Sequence, residues 1–163
     1  MASKKKSPRA SKPRRPSAVL VLSGPNLQLL GSRETRIYGR LTLPQIHDRL
    51  REVALGRGCR IDCRQSNHEG ALVDWIGGAK KEGFDGIIIN PGAYTHTSIA
   101  LHDAIRAASL PTVELHLSNP EAREPFRHRS MVAAVCLGRV AGFGPNSYAV
   151  ALNALLDHLD AQR

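Results

Sequence analysis

The stretch of sequence that decides the fold lies at residues 87–98 and reads Ile87-Ile88-Ile89-Asn90-Pro91-Gly92-Ala93-Tyr94-Thr95-His96-Thr97-Ser98. Three consecutive isoleucines are typical of a strand that is buried on both faces of a sheet. Asn-Pro-Gly then ends the strand, because proline has no N–H to donate and glycine permits a tight turn. Thr97 or Ser98 can cap the helix that follows. Since ligands bind beyond the carboxyl ends of parallel strands, Asn90 and His96 are candidate site residues.

The same alternation of strand and helix extends in both directions from this stretch. Strands are predicted at residues 18–22, 60–65, 87–89, 111–118 and within 132–142, and the closing helix at residues 146–159. Residues 60–65 alternate apolar and polar side chains, which indicates an edge strand. Five strands alternating with helices predict an α/β fold, a three-layer sandwich around a five-stranded parallel sheet, for which the order 2-1-3-4-5 is the commonest.

The net charge of +9 is concentrated at the amino terminus. Seven of the 23 basic residues precede Ser17, with no acidic residue among them, and the rest of the chain carries 16 basic and 14 acidic residues. This composition predicts a disordered basic tail over residues 1–17 and a single folded domain over residues 18–163. Such a tail can attract nucleic acid or anionic lipid, but a solvated extension is the favoured interpretation, so we expect neither partner.

Metal, disulfide and membrane functions find no support in the sequence. Cys59, Cys63 and Cys136 are odd in number and lack the spacing of metal ligands, which favours reduced thiols. The tail has no apolar signal region, and no apolar run approaches the length of a membrane span. We therefore expect a cytoplasmic protein without a metal site.

Polar residues collect where the predicted strands end. They are Asn26, Arg33, Tyr38, Asn90, Tyr94, His96, Glu114, His116, Ser118, Arg123 and Arg127. Residues 28–41, which follow the first strand, form a longer connection than is usual between a strand and a helix, and such connections are often mobile lids. No Gly-x-Gly-x-x-Gly motif, phosphate-binding loop or nucleophile elbow occurs, which argues against dinucleotide binding and acyl transfer.

These side chains can carry out acid–base chemistry next to a carbonyl group. An arginine near a tyrosine favours the phenolate, which can abstract a proton α to a carbonyl. An imidazole can protonate a leaving hydroxyl, and an amide such as that of Asn26 can hold the developing enolate. Arginines, Ser118 and backbone N–H groups suit a substrate carboxylate.

Each residue also has a structural interpretation. His96 can simply hydrogen-bond within its own turn, and Tyr38 and Arg33 can be a packed lid residue and a solvated charge. Glu114 and His116 can form a satisfied pair at a strand end, and the arginines after the fourth strand can form a surface patch. The functional interpretation depends on all of them meeting at one rim of the sheet.

Five ordered blocks of sequence add a resemblance to a known family. They are Gly24-Pro25-Asn26-Leu27 with residues 29–34, 38–39 and 42–43; Gln65-Ser66-Asn67-His68-Glu69-Gly70; residues 90–98; Val113-Glu114-Leu115-His116-Leu117-Ser118-Asn119; and Arg123-Glu124-Pro125-Phe126-Arg127. Over residues 19–159 the chain resembles the type II 3-dehydroquinate dehydratases. The resemblance implies a flavodoxin-like fold and a lyase that converts 3-dehydroquinate to 3-dehydroshikimate without a cofactor. It also implies a trans elimination through an enolate, in the shikimate pathway to chorismate and the aromatic amino acids.

The resemblance also implies a role for each site residue. Tyr38 would be the base, Arg33 its activator on the lid, His96 the acid, and Asn26 the residue that holds a water molecule at the enolate. Substrate would be bound by Asn90, His116, Leu117, Ser118 and Arg127, with Glu114 as an orienting residue. The family is usually a homododecamer, a tetramer of trimers, in which Asp103 would reach the site of a neighbouring subunit.

The chain departs from the family pattern at one position of the lid. Thr35 stands where the family mostly has proline, which can loosen the lid. Outside the tail, the only lysines are Lys80 and Lys81, adjacent residues that are poor candidates for the buried amine of the unrelated imine-forming dehydratases. A non-enzymatic binding or regulatory module of the same fold remains the alternative, and it lacks a cluster of acidic residues after the first strand.

Overall fold

Five parallel strands form one sheet in the computed structural model, which describes residues 15–163. The strands are β1 Ser17–Ser23, β2 Cys59–Gln65, β3 Gly86–Asn90, β4 Thr112–His116 and β5 Gly138–Ala141. Their order is β2-β1-β3-β4-β5, so the predicted fold class, strand order and edge position of β2 are confirmed. The tail predicted for residues 1–17 lies mostly outside the described residues, and Ser17 is the first residue of β1.

Five α-helices connect or follow the strands. They are α1 Thr35–Tyr38, α2 Leu43–Gly56, α3 Glu69–Gly78, α4 Ile99–Ala108 and α5 Ser147–Ala161. Thr42 caps α2 in a reciprocal capping box with Gln45, and the Ser98 side chain accepts the Leu101 N–H at the start of α4. The sequence offered Thr97 or Ser98 as the cap of α4, and the structure shows that it is Ser98.

The helices cover both faces of the sheet, which explains the unbroken apolar runs in the central strands. Side chains of β1 alternate between the two layers: Val19 and Val21 pack with α2 and α5, while Leu20 and Leu22 pack with α3 and α4. Ile88 joins the first layer, and its neighbours in β3 join the second. The central strands are therefore buried on both faces.

Two segments differ from the predicted elements. The long connection after β1 contains the single helical turn α1, which places Tyr38 at its last residue. The segment 117–137 is built from short 3-10 turns, and β5 occupies only four residues of the range predicted for it. No helix within residues 15–163 has both the length and the apolar character needed to cross a membrane.

Candidate active site

A cleft of about 720 Å³, counting its open mouth, lies beyond the carboxyl ends of β1, β3 and β4. Nine predicted site residues line it: Asn26, Arg33, Tyr38, Asn90, His96, His116, Leu117, Ser118 and Arg127. Arg123, one of the arginines expected after the fourth strand, lines it as well. The cleft has the mixture of apolar walls and polar groups that is typical of a small-molecule site.

The floor of the cleft forms where the turns after β1 and β3 touch. The N–H of Gly24 donates to the carbonyl of Asn90 at 2.7 Å, and a Cβ atom on Gly24 would lie 2.4 Å from the carbonyl oxygen of Pro91. Only glycine fits this contact. Asn26 has a left-handed backbone (φ 67°), and its N–H donates to Oδ1 of Asn67 at 3.0 Å. These contacts hold two candidate amides at the cleft.

The phenol of Tyr38 is hydrogen-bonded to an arginine from another part of the chain. Nη1 of Arg123 donates to the Tyr38 hydroxyl oxygen at 2.6 Å, and its guanidinium carbon lies 5.6 Å from the ring centroid. The Arg123 side chain is only 14% exposed. Arg33 instead pairs with Glu34 at 2.9 Å. Arg33 lines the same cleft, and the arginine that contacts the phenol is Arg123.

A buried carboxylate lies behind the cleft, on β4. Glu114 is fully buried, and its Oε1 accepts the Nε2–H of His116 at 2.6 Å. The hydroxyls of Thr95 and Ser130 also bond to this carboxylate. Burial by itself would raise the pKa of Glu114, but these donors outweigh it and hold the pKa below its usual range. Glu114 is therefore a charged anchor for His116, as its predicted orienting role requires.

His96 has a different partner from His116. Its Nδ1–H donates to the carbonyl oxygen of Arg129 at 2.8 Å, and its ring meets that of Phe126 edge-on at 6.4 Å between centroids. This bond assigns the proton of a neutral imidazole to Nδ1 and leaves Nε2 as the nitrogen available to a ligand. The structural interpretation, a bond within its own turn, fails because the partner lies 33 residues away.

One predicted residue lies away from the cleft of its own chain. Asp103 is exposed on α4 and does not line the cleft. Within residues 15–163, no group of three or more histidine, cysteine or carboxylate side chains is arranged to hold a metal ion.

Comparison with known proteins gives concordant matches along the chain. The sequence model described as "Dehydroquinase class II" matches residues 17–156. A protein of Chelativorans sp. (strain BNC1) named 3-dehydroquinate dehydratase is 58% identical over 142 residues, covering 86% of this chain and 97% of its own. One of the same name from Clostridium perfringens (strain 13 / Type A) is 48% identical over 144 residues, covering 88% and 99%. The crystal structure of type II dehydroquinase from Butyrivibrio crossotus DSM 2876 superposes with a TM-score of 0.84 at 42% identity, covering 86% and 97%.

Proposed function

The chain belongs to the class II dehydroquinase family, an enzyme family of hydro-lyases, and on this premise we propose that it removes water from 3-dehydroquinate to give 3-dehydroshikimate. The shikimate route to chorismate and the aromatic amino acids is the proposed pathway. The single observation that carries the chemical proposal is the Arg123–Tyr38 hydrogen bond in the cleft, because it places a cation against the oxygen of the proposed base.

In the first step the phenolate of Tyr38 takes the proton from C2 of the substrate. Nη1 of Arg123 donates to the Tyr38 oxygen and holds it in place, with a positive charge beside the atom that takes the proton. Arg33 is the second cation at this rim, and release of its pair with Glu34 would let it approach the phenol as the lid closes. The electron pair of the broken C–H bond moves onto the C3 carbonyl oxygen and forms an enolate.

Asn26 supports the enolate in this proposal. Its left-handed backbone, fixed by Asn67, presents the residue at the floor of the cleft, where its side-chain amide can hold a water molecule against the enolate oxygen. The backbone conformation and the bond to Asn67 that hold Asn26 are already in place in the cleft. Such preorganised dipoles lower the barrier because they need no rearrangement during the reaction.

In the second step the enolate collapses and the C1 hydroxyl leaves as water, which requires a proton. The sequence pointed to His96 as the donor, but the hydrogen bonds favour His116. The buried carboxylate of Glu114 holds the His116 ring through Nε2, which leaves Nδ1 of His116 as the nitrogen that can deliver the proton. His96, bonded to a neutral carbonyl, then serves as a hydrogen-bonding partner of the substrate.

The remaining cleft residues suit the carboxylate and hydroxyls of the substrate. Ser118, the backbone at Leu117, and Arg127 converge at the end of β4, and Asn90 lies buried at the end of β3. Arg127 shares its guanidinium with Glu124, at 2.8 Å, and a substrate carboxylate would compete for it. We also propose a cytoplasmic homododecamer built from trimers, in which the exposed Asp103 reaches a neighbouring cleft.

A direct assay tests the function. Purified protein mixed with 3-dehydroquinate should show the rising ultraviolet absorbance of the conjugated product, and treatment with borohydride in the presence of substrate should leave it active. Tyr38→Phe should lose turnover by several orders of magnitude and still bind ligand, because the base is gone and the cleft is intact. Inactivation by borohydride would indicate an imine, and near-normal turnover of Tyr38→Phe would remove the phenolate from the mechanism.

A further inference from the structure

Two neighbouring residues, Arg129 and Ser130, link the two histidines of the cleft through hydrogen bonds. The carbonyl of Arg129 accepts the Nδ1–H of His96 at 2.8 Å. The hydroxyl oxygen of Ser130, the next residue, lies 3.1 and 3.0 Å from the two carboxylate oxygens of Glu114, which in turn holds His116. The distance between the two imidazoles therefore depends on the position of residues 129 and 130.

The hydroxyl of Ser130 has its hydrogen-bonding roles fixed by the backbone. Its oxygen accepts the N–H groups of Val132 at 3.2 Å and Ala133 at 2.9 Å, which leaves its single O–H to be donated. The acceptors in reach are Glu114 and, at 3.0 Å, the Thr95 hydroxyl, and a carboxylate is the stronger acceptor. Within residues 15–163, no other group donates to Oε2 of Glu114.

We propose that Ser130 is a positioning residue for the reaction: it fixes the carboxylate of Glu114 and, through it, the imidazole of His116. This inference rests on the proposed function, in which His116 supplies the proton. Without the hydroxyl, one oxygen of a fully buried carboxylate would lose its donor. The imidazole would then lose its fixed orientation toward the substrate, which lowers turnover more than binding.

The same change alters the pH dependence. The groups that face Glu114 are His116 on its own strand, the thiol of Cys136, and Arg139, its register partner on β5. Burial raises the pKa of Cys136 to about 12, so the thiol stays neutral, and Arg139 is paired with Glu121 at 3.6 Å. Loss of one donor favours the protonated form of Glu114, so the acid limb of the rate profile should move to higher pH.

Four variants of the full-length chain test this. Ser130→Ala should lower kcat by about 10- to 100-fold, as expected for a lost hydrogen bond to a charged group, with KM within about threefold of wild type. Ser130→Thr, which keeps the hydroxyl, should recover most of the rate, and Ser130→Cys, with its weaker donor, should fall between them. Ser147→Ala is the matched control, since this serine is also buried and accepts a backbone N–H, from Phe143 at 3.2 Å, away from the cleft. It should leave kcat and the acid limb unchanged.

A measurement without substrate separates this inference from the proposed function. The imidazole N–H of His116 that bonds to Glu114 should give a low-field proton NMR signal in wild type and Ser147→Ala, and this signal should be lost in Ser130→Ala. An inactive wild type with this pattern of signals contradicts only the function. If Ser130→Ala keeps the His116 proton signal and the wild-type pH profile of the rate, the positioning role is refuted. If Ser130→Ala does not fold, a wild-type rate and pH profile in Ser130→Cys would refute it equally.

Discussion

The hydrogen bond between Arg123 and Tyr38 makes the sharpest prediction, because replacing the arginine removes a charge and leaves the base in place. In Arg123→Met the phenol keeps its ring contacts and loses the guanidinium, which lies 2.6 Å from its oxygen. The oxygen of the proposed base then loses the donor that orients it and the positive charge beside it. The rate should therefore fall, because both interactions support the proposed transfer of a proton to this oxygen.

The size of the effect follows from the geometry. The Arg123 side chain is 14% exposed, so its bond to the phenol is largely protected from solvent. A hydrogen bond to a charged group contributes about 1.5–3 kcal/mol net, and about 1.4 kcal/mol corresponds to a tenfold change in rate. We expect kcat/KM of Arg123→Met to fall by about 10- to 150-fold at pH 7. Arg123→Lys keeps the charge and loses the planar guanidinium, so its rate should lie between those of wild type and Arg123→Met.

The assay is the ultraviolet absorbance of the product, followed from pH 6 to pH 10. Arg57→Met serves as the control, since Arg57 joins α2 to Asp157 at 2.7 Å on α5 and lines no part of the cleft. It should leave the pH profile unchanged. If Arg123→Met matches wild type at every pH, the guanidinium does not stabilise the base, and the proposed first step is wrong.

Two further predictions concern stability and are measured by urea denaturation. Gly24→Ala should destabilise the fold by about 1–3 kcal/mol, because its Cβ atom would lie 2.4 Å from the carbonyl oxygen of Pro91. In Gly77→Ala, on α3, no atom lies within 4 Å of the new Cβ, so this variant should stabilise the fold by about 0.5–1 kcal/mol. Equal effects of the two substitutions on the free energy of unfolding would contradict the packing argument. Burial and the charge of Arg51 lower the pKa of His47 from 6.5 to about 4, so the unfolded chain binds more protons between these values. Stability should fall by about 3 kcal/mol as the pH drops through this window, and His47→Leu should remove that part of the loss.

The fold was predictable because its signals are periodic and local. Continuous apolar runs identified β1 and β3 as central, and the alternation in residues 60–65 identified β2 as an edge strand. The cap at Ser98 could be found because donor and acceptor lie three residues apart. Prediction was poorest in residues 117–137, where 3-10 turns have no such period and tertiary contacts decide the backbone.

Much of the cleft was predictable for a topological reason. Parallel strands bring their carboxyl ends to one edge of the sheet, so Asn26, Asn90 and His116 had to lie near one another once the strands were assigned. The pair of Glu114 and His116 followed from the alternation of side chains along β4. Neither argument depends on the conformation of a loop.

The partners of these residues could not be predicted, since they come from irregular segments far away in sequence. Arg123 lies 85 residues from Tyr38, and Ser130 lies 16 residues from Glu114. Nothing in the spacing relates them, because the 3-10 turns between β4 and β5 set their positions. Yet both partners are central to the proposed chemistry: Arg123 bonds to the proposed base, and Ser130 bonds to the carboxylate that holds His116. The regular elements bring the candidate site residues together, and the irregular segment after β4 supplies two of their hydrogen-bonding partners.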